Sequence, residues 1–252
     1  RYEGQKTIFT DKPKFLEKPN IGLDLSMFSL LHQTITSMAM HGNAFILVDK
    51  DRQGRPIQLT PIHPEKVKVE MSDGRKCYYL QTSKGKGYDR KITSDNMLHL
   101  IWYSYPGQLI GVSPLRTNSN TYGLALAMER HIAQFYGQGG TPSSVLETDR
   151  KPAVLTGGLK WKAISAEAGS ELIGARDQIV HEIARVFRIP AHLLLSKDGS
   201  NVYSNIESNG LAFIRHTLLP WIRRIEDGLS SLLPGKQFVR LDTDEYARGD
   251  QL

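Results

Sequence analysis

A short stretch in the second half of the chain begins like the helical zinc motif His-Glu-x-x-His. It reads His181-Glu182-Ile183-Ala184-Arg185, so an arginine stands where the second imidazole ligand is required. Two imidazoles one helical turn apart hold the ion in that motif, and a guanidinium cannot replace one of them. The stretch therefore predicts no metalloprotease, and Glu182 with Arg185 is better explained as a solvated i, i+3 pair.

The glycine-containing turns do not match the patterns of nucleotide or acyl chemistry. No Gly-x-x-x-x-Gly-Lys-Ser/Thr phosphate loop occurs, so an ATP-driven motor is not expected in this chain. Gly137-Gln138-Gly139-Gly140 follows a helical pattern and is predicted to terminate that helix. Gly111-Val112-Ser113-Pro114 has proline where a nucleophile elbow needs its final glycine. We therefore predict no catalytic residue, no cofactor and no enzymatic activity.

Few residues could hold a metal ion. Cys77 is the single cysteine, which excludes an intrachain disulfide and a cysteine-based zinc site. Carboxylates near the end of the sequence could gather a hard cation, although a polar chain end is the commoner explanation. These carboxylates are Asp242, Asp244, Glu245 and Asp250. No metal site is predicted.

The balance of charge favours a polyanionic partner. The 252 residues include 32 Lys and Arg against 26 Asp and Glu, a formal net charge of +6. The basic residues are dispersed, and nucleic-acid contact competes with an ordinary solvated helix face for the set Arg215, His216, Arg223 and Arg224. A second set is predicted to be a mobile surface loop and consists of Lys84, Lys86, Arg90 and Lys91.

Apolar periodicity predicts one helix and a small, mostly antiparallel sheet in the first hundred residues. The helix spans Leu23 to Met40. Ala44 to Val48 and Met97 to Trp102 are apolar runs of strand length. Asp73-Gly74 indicates a tight hairpin, because both central residues of such a turn need positive φ.

The second half is predicted to be mainly helical. Apolar residues recur at spacings of three and four in stretches that start at Leu115, Glu171 and Ser204, and Pro220 is expected to kink the last of them. Short strand-like pieces lie at Ser144–Leu146, Ala153–Leu155 and Phe238–Leu241. No apolar run approaches the roughly 20 residues that span a bilayer, so no membrane segment is predicted.

Several collinear stretches closely resemble the portal proteins of long-tailed bacteriophages. None is chemically diagnostic alone, but together they cover nearly the whole chain. They are His41–Phe45, Leu59–Val67, Gly111–Leu115, Gly157–Trp161, Glu182–Phe187 with Ile189-Pro190, Tyr203–Glu207 and Thr217–Ile222.

The resemblance implies an α+β portal fold with a wing, stem helices, a reduced clip and a long kinked C-terminal helix. By position, the parts in chain order are a wing-like helix and sheet (1–114), a stem-like helix (115–138), a shortened clip-like segment (139–165), a second stem-like helix returning to the wing (166–195), a tunnel-like loop (196–203), and the long helix with a terminal strand (204–252).

The resemblance also implies a function and partners. Portal proteins form a closed ring, typically of about twelve subunits, at one capsid vertex. Double-stranded DNA enters and leaves through the ring, which docks the large terminase subunit, the capsid and the head-tail connector proteins. The expected location is the portal vertex of the virion, and the host cytoplasm during assembly.

Two sets of candidate residues follow from this placement. The first is the loop that would face the DNA channel: Ser196, Lys197, Asp198, Gly199, Ser200 and Asn201. Lys197 would meet phosphates without reading bases, whereas a solvent loop on the outer rim is the alternative. The second set, Trp161 and Trp221, consists of large anchors that would ordinarily pack within the fold and could equally pack between subunits, where aromatic residues are enriched.

Two other functions compete with the portal ring. A nucleic-acid-processing enzyme is supported only by the positive charge, and the sequence lacks the clustered carboxylates that such chemistry uses. A monomeric nucleic-acid-binding module would be expected to concentrate basic and aromatic residues in one stripe, and here they are dispersed. Large rings with a central hole would favour the portal, and a stable monomer would favour the other two.

Overall fold

The computed structural model describes residues 12–81, 87–88, 90–137, 167–194 and 210–243. The chain divides into two compact units, the first formed by Arg1–Thr117 with Asn201–Leu252 and the second by Asn118–Ser200. Among the described helices, none combines the length and apolar character needed to cross a bilayer. Several predicted features lie outside the described residues: Ser144–Leu146, Ala153–Leu155, Trp161, the loop Ser196–Tyr203 and the helix start at Ser204.

Helices and antiparallel sheets together confirm the predicted α+β class. The strands described form two antiparallel sheets, with orders β2-β1-β6 and β3-β4-β5. These strands are β1 (Asn43–Lys50), β2 (Pro56–Ile62), β3 (Val67–Ser72), β4 (Arg75–Leu80), β5 (Arg90–Thr93) and β6 (Met97–Ile101). The helices are α1 (Lys14–Glu17), α2 (Met27–His41), α3 (Pro114–Thr117), α4 (Ser119–Gly137), α5 (Glu167–Phe187) and α6 (Leu219–Ser230).

Strand β1 is the centre of the first unit, because both of its faces are buried. Successive side chains of a strand point to opposite faces. Ala44, Ile46 and Val48 enter a core shared with α2, β6 and α6, whereas Phe45 and Leu47 enter a second core shared with β3, β4 and β5. The continuous apolar run from Ala44 to Val48 is therefore typical of a strand covered on both sides.

Helix α2 begins about one turn later than its apolar pattern predicts. Ser26 is the N-cap, and its Oγ accepts a hydrogen bond of 3.1 Å from the backbone N–H of Ser29. Leu23 instead lies in a preceding turn, where its N–H donates to the side chain of Asn20. The helix ends at Gly42, which has the left-handed φ of 74° that glycine adopts without strain.

The hairpin prediction is confirmed, and the surface-loop prediction is wrong in part. Asp73 and Gly74 both have positive φ and join β3 to β4. Arg90 and Lys91, expected in a loop, lie in β5, which pairs with β4. The reason is Ile92, whose buried side chain joins the second core and holds the segment against the sheet.

The last helix continues through Pro220. Residues 210–230 are helical, and Ile214–Leu218 form a π turn directly before α6. Proline lacks the N–H of a regular helical hydrogen bond, and a π turn is one of the local rearrangements associated with kinks. The helical winding therefore changes directly before Pro220, and the kink expected at Pro220 stays a prediction.

The predicted terminal strand at Phe238–Leu241 is wrong. Its backbone donors bind side chains of α6 instead of a neighbouring strand. The N–H of Val239 donates to Ser230 Oγ at 2.9 Å, and the N–H of Leu241 donates to Glu226 Oε1 at 2.8 Å. Arg240 also pairs with the buried Glu226 at 2.7 Å, so this segment is fastened along α6.

The second unit contributes α4 and α5. The helix predicted to start at Leu115 is divided at Asn118 into α3 and α4, and α4 is helical through Gly137, the last residue described there. Helix α5 ends as predicted before Pro190. Arg188 there adopts a positive φ of 57°, and the N–H of Ile189 donates back to the helix.

Trp221 is predicted to stabilise the first unit strongly. It is 7% exposed and stacks on Trp102 with ring centroids 3.7 Å apart. Trp221→Ala should lower the free energy of unfolding by about 3–5 kcal/mol, because both indole burial and the stack are lost. Urea unfolding followed by circular dichroism measures this. Phe238→Ala, at a side chain 62% exposed, is the control, and equal losses for the two variants would contradict the prediction. A role of Trp221 between subunits stays a prediction.

Candidate functional site

Two of the stretches that carry the portal resemblance contact each other backbone to backbone. Gly42 and Gly111 have no side chains, and a Cβ on Gly42 would overlap the carbonyl of Val112. A Cβ on Gly111 would overlap the carbonyl of Gly42. We call this contact, with the polar side chains around it, the junction; its members are Gly42, Asn43, His99, Gly111 and Ser113.

Asn43 satisfies its whole amide group within the junction. Its Nδ2 donates to the carbonyls of His41 and Gly111, each at 2.9 Å. Its Oδ1 accepts from the N–H of Gly111 at 2.6 Å and from His99 Nε2 at 3.0 Å. The side chain is buried, so each of these bonds replaces one with water. Asn43 thereby joins the start of β1 to a backbone segment 68 residues away.

Ser113 fastens α3 to the end of α2. Its Oγ donates to the carbonyl of Met40 at 2.5 Å and accepts from the N–H of Arg116 at 3.2 Å. The hydroxyls of Tyr103 and Thr117 add a hydrogen bond of 3.0 Å. Helix α3 is the last element of the first unit before α4 follows in sequence, so the junction fixes where the chain leaves that unit.

His99 is held as a neutral imidazole. Its ring stacks on Phe45 with centroids 4.2 Å apart. Because Asn43 Oδ1 can only accept, Nε2 carries the proton and Nδ1 accepts from Lys76 Nζ at 3.2 Å or from the Tyr78 hydroxyl at 3.4 Å. Burial, and then the charge of Lys76, lower the pKa of His99 to about 3.

The pKa values of two neighbours of His99 are also shifted so that the neutral forms are favoured. Burial raises the pKa of Tyr78 to about 12 and lowers the pKa of Lys76. Each shift disfavours the charged form of its group, as expected for a polar network enclosed by apolar side chains. The described side chains of the junction bond one another or the backbone, so they serve to position chain segments.

The other residues considered for chemistry are dispersed. Cys77 is buried in β4, and His181, Glu182 and Arg185 lie on α5. No group of three His, Cys, Asp or Glu side chains able to hold a metal occurs among the described residues. The candidate channel residues Ser196–Asn201, Trp161 and the carboxylates after Asp242 lie outside that part of the chain.

The basic set on the last helix is not a uniform solvated face. Arg224 lies with its guanidinium 4.7 Å from the centre of the Trp102 ring and donates to the carbonyl of Ile101 at 3.1 Å. Arg223 approaches Glu226 at 3.8 Å. Arg215 and His216 are exposed, so half of the set packs or pairs within the subunit.

His99 is the functional residue that sequence reasoning missed. Its one signal is a histidine inside the apolar run of β6, since a polar residue in a strand covered on both sides needs a partner. The partners come from β1 and β4, which no local pattern connects to β6.

Gly42→Ala should destabilise the protein more than Gly74→Ala. Both glycines have nearly the same left-handed φ, 74° and 71°, so both variants incur the roughly 1–2 kcal/mol cost of that conformation. Only Gly42→Ala also drives its Cβ into backbone, at Val112, which should cost about 1–3 kcal/mol more. Equilibrium urea unfolding compares the two, and equal losses would rule out the close approach.

The low pKa of His99 predicts a loss of stability in acid. The folded state binds fewer protons than the unfolded state between the ordinary pKa of 6.5 and the folded value of about 3. The stability associated with the neutral His99 is fully present above pH 6.5. It is lost as the pH falls through that window, by at most about 1.4 kcal/mol of unfolding free energy per pH unit.

The check is the difference in unfolding free energy between the wild type and His99→Gln, measured from pH 7 to 4. The difference should shrink as the pH falls, because the variant has no imidazole to protonate. Lys76→Met removes the repelling charge and should raise the pKa of His99. The loss of stability should then be complete at a higher pH than in the wild type. A difference that stays constant across the range would refute the prediction.

Phage portal proteins are among the relatives of this chain. The probable portal protein of Streptomyces phage phiC31 is 27% identical over 97% of this chain and 62% of its own length. The portal protein of Enterobacteria phage HK97 is 29% identical over 84% of this chain and 57% of its own length. The chain therefore spans about three fifths of these two proteins.

Solved structures share the fold at lower identity. The neck of an empty GTA particle, computed with C6 symmetry, matches with a TM-score of 0.71 and 21% identity, covering 92% of this chain and 72% of that one. The neck of a native GTA particle, computed with C12 symmetry, matches with a TM-score of 0.66 and 19% identity, covering 87% and 69%. The phage portal protein family model matches residues 3–151 and 147–252, and this chain belongs to that family.

Proposed function

We propose that the chain is a subunit of a portal ring at one vertex of a phage-type capsid, through which double-stranded DNA is packaged and ejected. The observation that carries the proposal is the family match over nearly the whole sequence, residues 3–151 and 147–252. The fold supports it, since two solved structures with this fold are necks of GTA particles, one computed with C6 symmetry and one with C12 symmetry.

The parts of the ring are assigned by position. We assign the wing to 1–114, whose described part contains both sheets of the first unit, and the stem helices to 115–138 and 166–195, which contain α4 and α5. The clip is assigned to 139–165 and the tunnel loop to 196–203. The junction then lies within the wing, close in sequence to the point where the chain passes into the first stem helix.

The ring is proposed to be structural and not enzymatic. The large terminase subunit would supply the motor, and capsid and head-tail connector proteins would bind the ring's outer surfaces in the virion. DNA that must slide is best held by positive charge that contacts phosphates and reads no bases. A chain of net charge +6 with dispersed basic residues suits this role, and Lys197 would place one charge per subunit at the channel.

The test uses the purified chain and a variant that lacks Lys197 to Val202. Light scattering and electron microscopy should show large rings with a central hole for both, because the loop is not expected to carry subunit contacts. In phage assembly, the deletion should impair DNA packaging or retention. A stable wild-type monomer would contradict the ring, and normal DNA-filled heads from the deletion would contradict the channel loop.

A point variant separates charge from loop length. Lys197→Gln keeps the loop and removes its lysine, so it should reduce packaging in the direction of the deletion. Lys236→Gln removes an exposed lysine of the first unit and is the matched control. Equal packaging by both variants would indicate that the Lys197 charge has no special role.

A further inference from the structure

Helix α2 has an exposed face without charge. Its 15 residues include no Asp, Glu, Lys or Arg, although 23% of the whole chain is charged. The other long described helices, α4, α5 and α6, each carry both acidic and basic residues. A helix on a protein surface normally directs charged side chains to water, so α2 departs from the pattern that solvent imposes.

The outward side of α2 presents apolar and neutral side chains. Leu30, Thr34 and Met38 are buried and define the inward side. On the outward side, the side chain of Phe28 is 79% exposed, that of Met40 48% and that of Ile35 40%. His32, Gln33 and Thr36 complete the exposed set. We call these six residues the α2 face.

A groove adjoins the α2 face and could receive a side chain from a partner. Its volume is about 520 Å³. Gln33, Thr36 and Met40 of the face form one wall, and the end of β2 with the turn after it, from Pro61 to Pro64, forms another. Contact surfaces concentrate their binding energy where an anchor side chain fills such a pocket.

The composition of the face decides between kinds of partner. The centres of protein-protein contacts are depleted in charged residues, whereas nucleic-acid surfaces need cations for the phosphates. The α2 face has no lysine or arginine.

Copies of a chain with net charge +6 repel one another, so contact between copies is least costly where both signs of charge are absent. A second copy of this chain is the partner that fits.

We propose that the α2 face is one half of the contact between neighbouring subunits, and that a different surface of the next copy packs on it. The proposal rests on the proposed ring, because a closed ring of more than two subunits needs head-to-tail contacts between two different surfaces. A helix of this length covers roughly 200 Å², about a quarter of the ~800 Å² per partner in a stable contact. The α2 face is therefore the centre of the contact, and flanking surfaces complete it.

The first test introduces a negative charge on the face. Phe28→Asp and Ile35→Asp should convert rings into monomers, measured by light scattering, while the circular dichroism spectrum stays unchanged because both side chains are exposed in the single subunit. Met71→Asp changes a side chain of β3 that is 53% exposed and is the matched control, which should keep its rings. Ring loss by all three variants, or by none, overturns the proposal.

A second measurement reports whether the α2 face is covered in the ring, and not only the size of the assembly. Thr36→Cys introduces a thiol on the α2 face, and Cys77 is buried. In assembled rings the new thiol should react with a maleimide roughly tenfold or more slowly than in the Phe28→Asp background, because reaction needs local opening of the contact. Ser94→Cys, at an exposed residue distant in sequence, should react equally fast in both. Equal rates at Thr36→Cys overturn the proposal.

Two outcomes separate this inference from the proposed function. A wild-type chain that stays monomeric contradicts the ring itself. Wild-type rings that persist in Phe28→Asp and Ile35→Asp overturn only the assignment of the α2 face. A disulfide-linked dimer of Thr36→Cys under assembly conditions would indicate a two-fold pair of α2 faces and would overturn the head-to-tail arrangement.

Discussion

The contact between the Gly42 and Gly111 backbones is the constraint on which the first unit depends. It requires two residues without side chains, and Asn43 bridges the same two segments with hydrogen bonds in both directions. Since Gly42 ends α2 and Asn43 begins β1, the contact fixes the helix, the central strand and the turn before α3 at one point. Movement of any of these elements would break bonds to the others.

The imidazole at this point is stabilised in its uncharged form. His99 lies between Asn43 and Lys76, and its second nitrogen faces an ammonium group. A network enclosed by apolar side chains is strong when every donor has an acceptor, and costly when one partner is lost or a charge is added. Phe45 links this network to the second core, so hydrogen bonding and packing constrain the same strand.

In the proposed ring, the working surfaces of this protein serve assembly. The buried groups of the junction are used in holding chain segments, and the conspicuous exposed feature is a helix face without charge. A ring obtains its channel from the arrangement of its copies, so the relevant chemistry is that of contacts between subunits. Here the same helix, α2, closes the junction at its C-terminal end and exposes the uncharged face along its length.

The sequence by itself determined those elements whose pattern is local. Ala44–Val48 predicted a strand and Asp73-Gly74 a hairpin, because apolar period and φ preference act over a few residues. The stretches around Gly42 and Gly111 were singled out by resemblance, without their contact. Only the tertiary structure decided the partners of His99, the pairing of Arg90–Thr93 as a strand, and the attachment of Phe238–Leu241 to Glu226 and Ser230. Each of these depends on groups far apart in the chain, and no spacing along a sequence specifies which distant donor will meet which acceptor.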